Sequence, residues 1–282
     1  MLLSGYRRFS QIVSTVTCNS YVATIYTKNI STTAQKGLCV PVLNCHSCPS
    51  ALFACPIGTI QHFAAIHTIP YYPAALLALI GIAVGRMGCG WLCPFGFLQD
   101  IMYKIKSPKY AVPNQLRHMK YFVLLIMVLA LPFFTGELWF SKLCPAGTLT
   151  AAIPWAIWNP INPVTGLPAL PRPLGVLFII DVIILVAFLG WFVVSSRPFC
   201  KTTCPLGAIF SIFNPVSLLK ISVDNRCDGC GKCKDVCPMD LVIVDNCSSL
   251  ECIRCLNCTQ CDYVSASFVG TKKFHIVAPE RT

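Results

Sequence analysis

Cysteine carries the chemistry of this chain, and its spacing says which chemistry. Cys227-x2-Cys230-x2-Cys233-x3-Cys237-Pro238 sets four thiols within eleven residues. The short gaps let three sulfurs wrap the corners of one inorganic cluster. The fourth, ahead of a proline, reaches a second cluster, as in bacterial two-cluster 4Fe–4S runs. A second run, Cys252-x2-Cys255-x2-Cys258-x2-Cys261, has one residue fewer before its last Cys and Asp262 in place of the proline. Cross-over pairing then expects Cys227, Cys230, Cys233 and Cys261 around one cluster, and Cys252, Cys255, Cys258 and Cys237 around the other. Cys247 is the alternative to Cys261. A zinc ribbon is the competing reading, but zinc sites rarely use four cysteines in so short a run.

Four further cysteines open an internal repeat, Cys-Pro-x-Gly-x-[Leu/Ile]. It occurs at Cys55–Ile60, Cys93–Leu98, Cys144–Leu149 and Cys204–Ile209. Two copies agree further: Arg86-x2-Cys89-x3-Cys93 matches Arg197-x2-Cys200-x3-Cys204 at every fixed position. Both directly follow an apolar stretch. A duplicated unit of outer motif, span and inner motif explains this, with the copies at about residues 39–118 and 135–222 and an axis along the membrane normal. Cys89, Cys93, Cys200 and Cys204 then meet on the inner side. On the outer side the first copy offers Cys45, Cys48 and Cys55, and the second offers Cys144. Each set supplies the four thiolates a 4Fe–4S cluster requires. Proline fixes φ after each Cys, and glycine lets backbone pass close to a bulky group. The competing readings are inert buried thiols, disulfides or zinc. Together these assignments use sixteen of the nineteen cysteines and leave Cys18, Cys39 and Cys247.

The elements that must hold these residues are apolar. Hydrophobic residues make up 55% of the 282 and charged residues 12%, against about 25% charged in soluble domains. Ile69–Val84, Met119–Phe134 and Leu174–Val194 read as spans, close to the ~17–25 residues that cross a bilayer. Phe9–Tyr26 is a marginal fourth. The net charge of +11 comes from Lys and Arg in short loops with no interleaved aromatic patch, which excludes a nucleic-acid surface. Arg86, Lys104, Lys106, Lys109, Arg117 and Lys120 follow the first span, and Arg197 and Lys201 follow the last. The loop between the other spans holds Lys142 and Arg172 with Glu137. This asymmetry predicts that the Arg86–Lys120 loop and the C-terminus are cytoplasmic, with residues 28–68 and 135–173 on the other side. Residues 1–26 carry Arg7 and Arg8 but no compact apolar core, so no cleavable leader is expected.

Three other residues are candidates for a weaker site. Asp181 lies inside the last span, where an acid is costly and often functional; a proton relay or quinone contact competes with a helix–helix hydrogen bond. His62 and His67, near Tyr71 and Tyr72, suit a quinone headgroup or an ordinary interfacial belt.

The stretches Asn44-Cys45-His46-Ser47-Cys48-Pro49, Ala54-Cys55-Pro56-Ile57-Gly58 and Gly85-Arg86-Met87-Gly88-Cys89-Gly90-Trp91-Leu92-Cys93-Pro94-Phe95-Gly96 resemble the membrane-bound polyferredoxin family, over about Arg7 to Cys261. That family includes the membrane quinol-dehydrogenase subunit of periplasmic nitrate reduction and the membrane regulator of nitrous-oxide reductase. The resemblance implies a bacterial or archaeal inner-membrane protein with 4Fe–4S clusters in the tail that exchanges electrons with quinol or a redox partner.

The expected architecture is an α-helical membrane protein with three to four transmembrane helices in residues 1–222, joined to a small α+β ferredoxin-like two-cluster domain in 223–282. The expected function is an electron-transfer subunit of a larger oxidoreductase complex. It would relay electrons between a cytoplasmic partner and the quinone pool, or a partner across the membrane, through up to four 4Fe–4S clusters. The rival is a redox-sensing regulator or maturation factor with clusters in the tail alone. A transporter fits poorly, since the spans are few and hold almost no polar residues.

Overall fold

The computed structural model describes residues 2–31, 33–159, 175–244, 247–261 and 263–269. Arg172, Asp262 and residues 270–282 of the expected tail lie outside the described residues, as does Leu174 at the start of the third expected span.

Helices dominate because long apolar runs without internal polar breaks satisfy their own backbone hydrogen bonds. Among the described residues, two are long and apolar enough to cross a membrane: Asn114–Thr135, of 22 residues, and Val176–Val194, of 19 residues. Tyr71–Val84, expected as a span, is a shorter apolar helix of 14 residues. The marginal Phe9–Tyr26 stretch becomes part of a 17-residue helix, Leu2–Cys18, and a separate turn, Thr24–Thr27. The first helix is polar inward and apolar outward. Arg7 and Gln11 are buried, whereas Tyr6, Phe9, Ile12, Val13 and Val16 are exposed. Within Asn114–Thr135 the turns widen to π-helix over Leu124–Ala130, just before Pro132, which lacks an N–H to donate to a regular α-turn.

The repeat folds as a helix-start motif. Each Cys of the four Cys-Pro-x-Gly segments is an extended N-cap, and each Pro occupies the first helical turn. Proline is favoured there because its missing N–H would be unsatisfied anyway. Two of these helices exchange partners between copies. Pro94–Met102 packs on Val176–Val194 of the second copy, and Pro205–Phe213 packs on Tyr71–Val84 of the first. The exchange brings the Phe213 ring onto Gly81, where a Cβ would sit 2.6 Å from it.

The tail hangs on a two-stranded antiparallel sheet, Leu219–Val223 with Val264–Phe268. The first strand straddles the expected domain boundary at 222/223. The tail docks closely on the helical unit: Met239, Ile253 and Cys255 share one buried core with Leu43, Cys55, Cys89, Cys93, Cys144 and Cys204.

Candidate metal centres

The inner set assembles from both copies. Cys89, Cys93, Cys200 and Cys204 are all buried and close enough to interact electrostatically with one another. The N–H of Gly96 donates to Cys93 Sγ at 3.4 Å, and the N–H of Gly207 donates to Cys204 Sγ at 3.4 Å. These are orphan donors of a helix start, aimed at the atom that turns anionic on metal binding. Gln99 Nε2 donates to Cys200 Sγ at 3.2 Å.

Two fully buried arginines cross-clamp the copies. Arg86, of the first copy, donates through Nη2 to the Cys200 carbonyl of the second at 3.2 Å. Arg197, of the second, donates through Nη1 to the Cys89 carbonyl of the first at 2.8 Å. The motif glycines make room for them. A Cβ at Gly207 would sit 3.0 Å from Arg86 Nη2, and one at Gly96 would sit 3.4 Å from Arg197 Nη1. In the inner motifs the glycines also lie against the arginines of the other copy.

The two arginines find different counter-ions. Arg197 forms a fork–fork pair with Asp100, at 2.7 Å and 2.6 Å, a geometry that strengthens a charged hydrogen bond. Burial opposes the Asp100 charge, but Arg197 outweighs it and holds the carboxyl below the usual range. Arg86 instead reaches Glu251 in the tail at 3.2 Å, and Lys120 pairs with the same carboxylate. Burial opposes that charge too, and Arg86 and Lys120 hold Glu251 below the usual range.

The outer cysteines sit on a turn and two helix starts. Cys45, Cys55 and Cys144 line one cavity together with His46, Gly58 and Gly147. Cys48 is buried nearby with its thiol 3.2 Å from Ser50 Oγ. Gln61 joins the copies here: its Oε1 accepts the Phe140 N–H at 3.1 Å, and its Nε2 donates to Ser141 Oγ at 2.9 Å. Trp155 Nε1 donates to the Ser47 carbonyl at 3.2 Å.

A strap joins the outer and inner sets. Pro41 presses its carbonyl against Gly88, where a Cβ would lie 3.1 Å from it. The Leu43 N–H faces the Cys93 thiol, and the next N–H, of Asn44, faces the Cys55 thiol. Residues 28–68 were expected wholly on the face opposite the inner motifs; Pro41–Leu43 instead run against them.

In the tail, Cys237 lines a small cavity with Cys252, Cys255 and Cys258. Cys230, Cys233 and Cys261 line a larger one of about 350 Å³ with Cys258. Cys227, half-buried, is not on that wall. The Cys247 thiol is turned to the Ile243 carbonyl at 3.3 Å. The first of these sets abuts the inner one. A Cβ at Gly90, next to Cys89, would lie 2.6 Å from the Ile253 carbonyl and 3.6 Å from Cys255 Cα. Trp91 and Asn214 fasten this junction by hydrogen bonds to Arg254 and Cys252 carbonyls at 3.1 Å and 2.8 Å.

The donor sets fit an anionic iron–sulfur group. Many sulfurs face backbone N–H groups, and buried guanidinium charge flanks the inner ones. Among the described residues, no three His, Cys, Asp or Glu side chains converge on a point as a single metal ion requires. Burial pushes Cys45, Cys93, Cys144 and Cys252 up to about 12, so loading a metal must release protons.

Asp181 and the two histidines occupy separate places. Asp181, Cys45, Gly147, Thr148, Trp155 and Phe178 line a cavity of about 390 Å³ against the outer set. Among the described residues Asp181 Oδ1 is buried without a hydrogen-bond partner. His67 lies against Phe133, ring centroids 4.4 Å apart, in a different groove, and His62 packs on Phe63.

A model of a 4Fe–4S binding domain matches residues 71–113, 118–158 and 177–223. The matched stretches contain Cys89, Cys93, Cys144, Cys200 and Cys204 and stop short of the tail runs. The uncharacterized protein MJ0750 of Methanocaldococcus jannaschii is 30% identical over 234 residues, 78% of this chain and 88% of that protein. The chain belongs to the polyferredoxin family. The ferredoxin-type protein NapH of Escherichia coli is 25% identical over 77% of this polyferredoxin and 73% of its own length. The methylamine utilization ferredoxin-type protein MauN of Paracoccus denitrificans is 27% identical over 61% of the chain and 58% of its own length. No solved structure matches. This polyferredoxin is therefore a ferredoxin-type iron–sulfur electron-transfer protein with a 4Fe–4S binding domain.

Sequence reasoning missed the glutamines. Gln61 and Gln99 both stand six residues after the Cys of a first-copy motif, and both reach the second copy. The signal was present, because Cys-Pro-x-Gly-x-[Leu/Ile]-Gln occurs twice. Asp100 and Glu251 had no such signal; each is a single acid whose partner is remote in sequence.

Proposed function

We propose that this polyferredoxin is a membrane-spanning electron relay with four 4Fe–4S sites, linking a cytoplasmic redox partner to quinone. When bound, such clusters supply one-electron storage and transfer over a wide range of potentials. Cys227, Cys230, Cys233 and Cys261 hold one site, and Cys237, Cys252, Cys255 and Cys258 the next. Cys89, Cys93, Cys200 and Cys204 hold the inner site. Cys45, Cys55 and Cys144, with Cys48 as the sequence-expected fourth ligand, hold the outer one.

The observation that carries this reading is contiguity. Cys255 packs on Gly90 beside Cys89. Consecutive residues Leu43 and Asn44 turn their N–H groups toward Cys93 and Cys55. Cys45 is shared by the outer set and the cavity of Asp181. The apolar outward face of Leu2–Cys18 and the exposed Ile179, Ile183 and Val186 support lipid contact, since residues facing acyl chains must be apolar. The largely apolar Asp181 cavity suits a quinone headgroup, with the carboxylate taking or giving its proton.

Purified protein in anaerobic proteoliposomes tests the reading. A soluble quinol analogue should reduce the clusters, and Asp181→Asn should slow this about 100-fold, as expected for loss of a general base, with iron content unchanged. Absence of quinol-driven reduction in the wild type would contradict the quinone link.

A further inference from the structure

We propose that His46, not Cys48, is the fourth ligand of the outer site, making it a three-thiolate, one-imidazole centre. The proposal rests on reading the outer set as a cluster site.

Three observations carry it. First, the cavity faced by Cys45, Cys55 and Cys144 has His46 on its wall, whereas Cys48 is absent from that wall. Second, the motif glycine at this position is reserved for the imidazole. A Cβ at Gly58 would lie 2.4 Å from His46 Nδ1 and 2.9 Å from its Cε1. The matching glycine of the other outer motif, Gly147, faces a ligand in the same way, 3.5 Å from Cys45 Sγ. Both outer glycines thus leave room for side chains of one turn, Asn44–Pro49. Third, the Cys48 thiol is turned to polar groups off that cavity wall. It lies 3.2 Å from Ser50 Oγ and 3.8 Å from Asn19 Oδ1.

Charge balance points the same way. The inner site gathers four thiolates beside two buried arginines. Among the described residues the outer site has no arginine at hand. Its nearby cation, Lys36, donates to the Cys48 and Ala51 carbonyls at 3.1 Å and 3.0 Å. Exchanging one thiolate for a neutral imidazole removes one negative charge from a site that, among the described residues, lacks the buried arginines of the inner one. Imidazole for thiolate also raises the potential of an iron–sulfur centre, which fits the end of the chain beside the Asp181 cavity.

The test is pulsed EPR of the reduced, reconstituted full-length protein with and without 15N-histidine, alongside iron counts. The expected result is a strongly coupled nitrogen that changes with the label and survives Cys48→Ser with full iron. His46→Cys, which supplies a thiolate, should keep the iron and lose the nitrogen coupling. The proposal is overturned if the wild type shows no histidine nitrogen, or if Cys48→Ser loses about 4 Fe while the other sites stay loaded. The underlying cluster reading fails separately: Cys144→Ala would then leave the iron count unchanged.

Discussion

The inner and outer sites are built from the same repeated motif and differ in how the copies share it. At the inner site each copy gives two cysteines, one arginine and one glycine that admits the other copy's arginine. At the outer site the first copy gives a whole cysteine-bearing turn and the second gives Cys144 with Gly147. The symmetric site is locked by buried ion pairs and backbone clamps. Among the described residues the asymmetric site has no such arginines, and it opens beside a cavity lined by Asp181, whose Oδ1 has no hydrogen-bond partner there. In the proposed relay, the symmetric pole is the rigid one and the asymmetric pole is the one that meets quinone.

The comparison breaks most visibly at Arg197. Arg197→Met leaves Asp100 and the Cys89 carbonyl buried without their main partner, a loss of about 3–5 kcal/mol. Thermal unfolding in detergent should show it, and iron should fall at the inner site while the tail sites stay loaded. Arg7→Ala touches the same carboxylate, yet Arg197 still compensates it, so the effect should be far smaller.

Glu251→Gln separates the two arginines. It removes the tail's charge from Arg86 and Lys120, at a cost of about 1–3 kcal/mol, and leaves the Arg197 pair intact. Hydrogen exchange should rise over the tail segment that contacts Asn214, and the inner potential should rise because two cations lose their counter-charge. An unchanged potential would show that the inner site does not sense the docked tail.

Much of this arrangement was legible because cysteine spacing is a local code. The helix-start role of Cys-Pro-x-Gly follows from proline and from N-cap geometry, and the copies declare themselves by Arg86 and Arg197. The strap was not legible. Pro41, Leu43 and Asn44 act through backbone atoms, which carry no sequence signature. The acids were equally hidden, since Asp100 and Glu251 take their meaning from partners 97 and 165 residues away. The expected Ile69–Val84 stretch is helical over Tyr71–Val84, because Pro70 precedes that helix and Gly85 ends it at a positive φ.

Glycine substitutions sharpen the contrast further. Gly207→Ala sets a methyl 3.0 Å from Arg86 Nη2 and should cost about 1–3 kcal/mol by overpacking. Gly147→Ala has no contact under 3.3 Å and should cost less. Paired melting curves would show the order.

The smallest effect is a pH dependence of the cluster-free protein. Burial raises Cys45, Cys93 and Cys144 from 9.0 to about 12, so the folded chain holds these protons more tightly than the unfolded one. Stability is therefore full below pH ~9 and declines as pH rises toward ~12, by less than about 1 kcal/mol per thiol at pH ~9. The loaded protein, with thiolates bound to metal, should lack this slope in chemical denaturation.

In the proposed relay both poles hold clusters, and iron counting of the anaerobically reconstituted protein tests that most directly. Four sites predict about 16 Fe per chain, falling to about 12 in Cys144→Ala and in Cys204→Ala separately. A wild-type count near 8, unchanged in both variants, would confine the clusters to the tail and contradict the account.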